Sequence, residues 1–95
     1  MIEILILDDN QDKRESLKSV IVPLFPQGQM FIEEACCLVD GREKLQSKTY
    51  DMLILDMVLP ERKEDLDNEM NRSGGVELLK EIYCIVFIAI YHIIQ

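Results

Sequence analysis

Three aspartates stand where short apolar runs give out, and their carboxylates are the side chains best placed to do chemistry. Ile2-Glu3-Ile4-Leu5-Ile6-Leu7 runs into Asp8-Asp9, and Met52-Leu53-Ile54-Leu55 runs into Asp56. Either piece alone is commonplace, because an acidic residue after a strand often caps a helix or solvates a loop. Together they say more. In an open parallel sheet, ligands bind outside the carboxyl ends of the strands, at the point where the strand order reverses. If these two runs are neighbouring strands at that point, three carboxylates meet in one crevice. Each raises the pKa of the others, a cost that a hard divalent cation removes. Mg²⁺ suits such a site, since it takes a few carboxylates and completes its shell with water or phosphate oxygens.

The elements that must position these groups alternate in type. The first apolar run reads as a buried strand over 2–7. Asn10 or Asp9 caps a following helix whose apolar face is Leu17, Val20, Ile21 and Leu24. Pro23 and Pro26 close it. Residues 29–35 read as a second strand after the Pro26-Gln27-Gly28 turn, and a weaker helix spans Val39 to Ser47 with Leu38 and Leu45 inward. The third strand is 52–55. Continuous apolar runs imply strands covered on both faces, as in a parallel sheet between helices. The alternation is the α/β signature, and right-handed crossovers place helices on both sides of an open sheet.

After Pro60 the chain is strongly polar from Glu61 to Ser73, until Gly74-Gly75. Val76, Leu78, Leu79 and Ile82 begin a third helix. Tyr83 to Ile90 has the composition of a fourth strand, but no turn residue separates it from that helix. A helix continued through Ile94 fits as well, because periodicity cannot arbitrate within an apolar run.

The bulk properties bound the class. The chain has 95 residues, 48% apolar and 29% charged, which fits one small domain over 1–95. Its net charge of -8 opposes nucleic-acid binding by this chain and is compatible with cation binding. The N-terminus lacks the basic segment of a signal peptide, and the apolar tail at 82–94 is short of the ~20 residues a bilayer requires, so no membrane role is expected. Cys36, Cys37 and Cys84 form no CxxC pair and read as small apolar residues of a reduced, cytoplasmic protein. His92 has no matching metal ligand.

Leu5-Ile6-Leu7-Asp8-Asp9, then Arg14 and Leu17, then Tyr50 through Pro60, then Gly75-Val76-Glu77-Leu78-Leu79, is similar in order and spacing to the receiver domains of bacterial two-component systems. The similarity covers about the first 82 residues. It implies a flavodoxin-like doubly wound parallel sheet, here shortened to about four strands and three helices. It further implies that Asp56 is the phosphoacceptor and that Asp8 and Asp9 hold Mg²⁺. Val58 then sits where a backbone carbonyl ligates the metal, and Pro60 shapes the loop after the nucleophile. The implied partner is a sensor histidine kinase or phosphotransfer protein, and the only catalysis is transfer of a phosphoryl group onto the chain's own Asp56.

The chain departs from that pattern in three places. The loop at 61–74 is an insertion of about ten residues, read as a solvated excursion or a docking surface. The family's Ser or Thr after strand four and Lys after strand five have no counterpart in Tyr91-His92-Ile93-Ile94-Gln95, and Lys80 does not take the lysine's role. The segment at 83–95 follows helix three without a polar loop. Phosphorylation needs only the first three strands, whereas the switching surface is incomplete. An alternative is therefore a degenerate receiver serving as an interaction or dimerisation module, with self-association through the apolar C-terminal segment. A metal-dependent phosphohydrolase is a weaker third reading, because the usual Asp-x-Asp partner is Asn at position 10 and Val at position 58.

Overall fold

The computed structural model describes residues 1–56, 59, 60 and 62, together with the backbone of Phe87–Tyr91. Strand β1 (Ile2–Leu7) is followed by helix α1 (Gln11–Ile21), a 3-10 turn (Val22–Leu24), strand β2 (Met30–Ala35), helix α2 (Leu38–Ser47), strand β3 (Met52–Asp56) and strand β4 (Phe87–Tyr91). All four strands run parallel in the order β2-β1-β3-β4. The chain steps from β1 outward to β2, then crosses to the other side for β3 and β4. The order therefore reverses between β1 and β3.

β1 and β3 are central and continuously apolar, and their alternate residues fill two separate cores. Ile4, Ile6 and Ile54 pack with Ile21 and Leu17 of α1. Leu5, Leu7, Leu53 and Leu55 pack with Leu38 and Leu45 of α2, and with Tyr50 and Leu59. The two helices thus cover opposite faces of one parallel sheet, an α/β arrangement. Each buried Leu or Ile removes enough apolar surface from water to contribute roughly 1.5–3 kcal/mol. β2 is an edge strand and correspondingly only half-buried.

Local signals account for the boundaries. Asn10 caps α1, its Oδ1 accepting from the Lys13 N–H at 3.2 Å. Gly28 turns the chain into β2 with φ 82°, a conformation that glycine adopts without a side-chain clash. Gly41 lets α2 approach the sheet, since a Cβ there would collide with Leu7 Cδ2.

Two expectations require correction. The apolar spacing places Val20 and Leu24 on the inward face of the first helix, whereas they are 65% and 70% exposed. The inward stripe is Arg14, Leu17, Lys18 and Ile21, and the helix stops at Ile21, with Pro23 inside the 3-10 turn that follows. The residues from Phe87 form a strand, so the continued-helix alternative does not hold for 87–91. The insertion at 61–74 (Arg62 apart), the third helix, Cys84 and the segments flanking β4 lie outside the described residues. Among the described residues no helix is long and apolar enough to cross a membrane.

Candidate functional site

Register brings the aspartates together. β1 and β3 pair through Leu7 opposite Leu55, so Asp8 and Asp56 are the next residues out on adjacent strands. Both continue the even-numbered positions that face α1. Asp9 follows in the loop leading to the Asn10 cap. One carboxylate oxygen from each of Asp8, Asp9 and Asp56 lies within 4.8 Å of the others. The three residues expected from the sequence to form a site therefore converge, at the carboxyl ends of the strands and at the reversal of strand order.

Asp8 and Asp56 are buried, at 0% and 1% exposure, while Asp9 is half-buried. Burial raises the Asp8 pKa from an ordinary 3.8 to about 6, with the negative charges of Asp56 and Asp9 pushing the same way. The Asn10 N–H donated to Asp8 Oδ1 at 2.9 Å and the positive charge of Lys13 pull against that rise without cancelling it. The site thus concentrates negative charge in a place that resists it. A donor set of carboxylate oxygens without nitrogen or sulfur fits a hard divalent cation such as Mg²⁺ better than zinc or copper.

The surrounding backbone is well tied. The Asp8 N–H donates to the Ala35 carbonyl at 3.1 Å, the Leu59 N–H to the Asp56 carbonyl at 3.3 Å, and the Leu38 N–H to the Pro60 carbonyl at 2.8 Å. Pro60 is itself buried, and its carbonyl meets the start of α2. Val58, expected to offer a backbone carbonyl, lies outside the described residues. Cys36 and Cys37, just beyond β2, are free thiols, and Cys37 is buried with its pKa raised by that burial.

Sequence reasoning gave Arg14 no role beyond its place in the motif. Its Nη1 donates to the Asp8 carbonyl at 2.6 Å and its Nε to Glu34 Oε1 at 2.9 Å. A signal was present: a cation in the first turns of α1 that shares the helix face of Leu17 and Ile21. No protein-family model, curated protein or solved structure matches this chain.

Proposed function

We propose that the chain is a phosphoacceptor receiver module of a two-component phosphorelay, built on a flavodoxin-like doubly wound sheet, in which Asp56 takes the phosphoryl group. The observation that carries this reading is the convergence of Asp8, Asp9 and Asp56 within 4.8 Å at the β1/β3 reversal. Asp56 has the chemistry of the nucleophile. One of its carboxylate oxygens bonds to phosphorus, the bond from phosphorus to the donor breaks in line, and the electron pair leaves with the donor atom. For a sensor histidine kinase or phosphotransfer protein, that donor is a histidine nitrogen.

Asp8, Asp9 and Asp56 would hold Mg²⁺, with the backbone carbonyl of Val58 as a further ligand implied by the motif. When bound, such a cation supplies charge neutralisation for the carboxylates and for the incoming phosphoryl oxygens. The chain's own part is to keep Asp56 fixed at the strand end and to seat the Asp8-Asp9 pair beside it.

The test is incubation with a small acyl phosphate or phosphoramidate, followed by intact-mass measurement. The proposal expects a gain of one phosphoryl group with Mg²⁺, none with a chelator, and none in Asp56→Asn. Folded, Mg²⁺-saturated protein that remains unlabelled would overturn it. If that same protein gained thermal stability from Mg²⁺, the degenerate receiver acting only as an interaction or dimerisation module would become the better reading.

A further inference from the structure

We propose that Arg14 is a positioning residue for the acidic site and a determinant of its preference for Mg²⁺ over Ca²⁺. The inference rests on reading Asp8, Asp9 and Asp56 as a cation site.

Arg14 sits on α1 with its side chain 16% exposed, and its guanidinium bridges two fixed points. One is the Asp8 carbonyl at 2.6 Å, and the other is Glu34 Oε1 on β2 at 2.9 Å. Glu34 is anchored in turn by Lys18, whose Nζ lies 3.0 Å from Oε2. A planar guanidinium with donors in a rigid fork fixes direction as well as distance, which a flexible ammonium does not.

What it fixes is the peptide joining Asp8 to Asp9. The Asp8 N–H is held by the Ala35 carbonyl at 3.1 Å, and Asp8 Oδ1 accepts from the Asn10 N–H at 2.9 Å. Those two bonds hold Asp8 itself, and the bond from Arg14 to its carbonyl restrains the next peptide, from Asp8 to Asp9, against rotation. Rotation there would swing one carboxylate relative to the other, because the two residues are consecutive. Mg²⁺ demands short bonds in near-octahedral geometry, whereas Ca²⁺ accepts varied numbers and angles. A loosened peptide therefore weakens Mg²⁺ binding more than Ca²⁺ binding.

Calorimetric titration of the full chain with Mg²⁺ alone and Ca²⁺ alone, at one neutral pH, tests this. Arg14→Met is expected to weaken Mg²⁺ about tenfold, the usual scale for a group that orients a ligand, with a smaller change for Ca²⁺. Arg14→Lys keeps the charge but not the fork, and is expected to lose Mg²⁺ affinity too. Glu34→Gln, which leaves Arg14 in place but weakens its anchor, gives a smaller loss in the same direction and serves if Arg14→Met does not fold. An unchanged Mg²⁺ to Ca²⁺ ratio in these variants, or full wild-type affinity in Arg14→Lys, would overturn the inference alone. Wild-type protein that binds neither ion would overturn the cation-site reading, and this inference with it.

Discussion

Toward the amino end of the sheet, Lys48 Nζ lies 2.5 Å from a carboxylate oxygen of both Glu3 and Glu33, and the buried Tyr50 hydroxyl donates to Glu33 at 3.0 Å. At the carboxyl end, Asp8, Asp9 and Asp56 crowd within 4.8 Å. Both ends place several carboxylates in partly or wholly buried positions, and they respond in opposite ways. The Glu33 carboxyl is held below its usual range, chiefly by the Lys48 ammonium. The Asp8 carboxyl is pushed up to about 6, chiefly by burial. At the amino end, the Lys48 ammonium favours the ionised Glu33 and so contributes to stability. The other carries charge that its burial opposes, an arrangement that makes sense where a cation or a reaction uses the charge.

The largest predicted effect comes from the carboxyl end. A group whose folded-state pKa is raised favours the folded state while protonated and loses that advantage as pH rises. For Asp8 the loss begins near its ordinary 3.8 and is complete somewhat above 6. With chelator present, this group should therefore lower stability by on the order of 2–3 kcal/mol between those limits. Asp8→Asn should abolish that slope and raise the metal-free stability at neutral pH, measured by urea unfolding across the pH series. Saturating Mg²⁺ should reverse the slope in wild-type protein, because the cation binds the ionised form. A chelated wild-type protein whose stability does not fall between pH 4 and 6 would remove the contrast between the two ends.

Next in size is the packing behind that end. Gly41 lies where any Cβ would press on Leu7, itself fully buried one residue before Asp8. Gly41→Ala improves helix propensity by up to about 1 kcal/mol, while overpacking a core costs about 1–3 kcal/mol. The expected net loss is about 1–2 kcal/mol, read as a lower urea midpoint. Where Leu7 yields by shifting its backbone, Asp8 moves with it and Mg²⁺ affinity falls as well. A gain in stability would show that Leu7 has room to yield.

These contrasts were unequally legible in the sequence. The acidic trio could be read because each piece is local: an apolar run long enough for a buried strand, then an aspartate, with parallel pairing making the ends coincide. A cap at Asn10 or Asp9 was legible for the same reason, and the structure uses Asn10. The inward face of α1 was not. Ranking by apolarity selected Val20 and Leu24, yet Glu34 on β2 draws Arg14 and Lys18 inward, and an ion pair replaces the apolar contact expected there. At roughly 100° per residue, a stripe through Arg14, Leu17, Lys18 and Ile21 leaves Val20 facing solvent. The amino-end network could not be read at all. Its members come from β1, β2, the end of α2 and the segment before β3, and only the sheet register brings Glu3, Glu33, Lys48 and Tyr50 together.

Tyr50 tests the amino end directly. Its hydroxyl is buried and bonded to the Glu33 carboxylate, and burial followed by that hydrogen bond pushes its pKa up to about 12. Tyr50→Phe keeps the ring in the core and removes one bond to a charged acceptor, a loss of about 1.5 kcal/mol. Neither Mg²⁺ affinity nor phosphoryl labelling should change, since the residue stands at the opposite end of the strands from Asp56. A parallel loss of Mg²⁺ binding would show that the two ends are coupled through β1 and β3.

The smallest effect is expected from Lys48→Met, and its value lies in its sign. Lys48 is about one-third exposed, so solvent screens its ion pairs and the change in midpoint should be below that of Tyr50→Phe. A carboxylate with a lowered pKa contributes stability above its ordinary pKa and loses it as pH falls. Lys48 lowers the Glu33 pKa, so removing it should destabilise the protein at neutral pH and progressively less at low pH, as Glu33 takes up its proton. The slope contributed by this end is therefore opposite to that of Asp8, and it should flatten in the variant while the Asp8 slope persists. Added salt should shrink the wild-type advantage over Lys48→Met, since the pair is partly exposed. If the variant instead lost equal stability at neutral and at low pH, the cation–π contact of Lys48 Nζ with the Phe31 ring, 4.5 Å from its centroid, would be the larger contribution. The amino end would then resemble an ordinary packed edge more than a neutralised charge cluster.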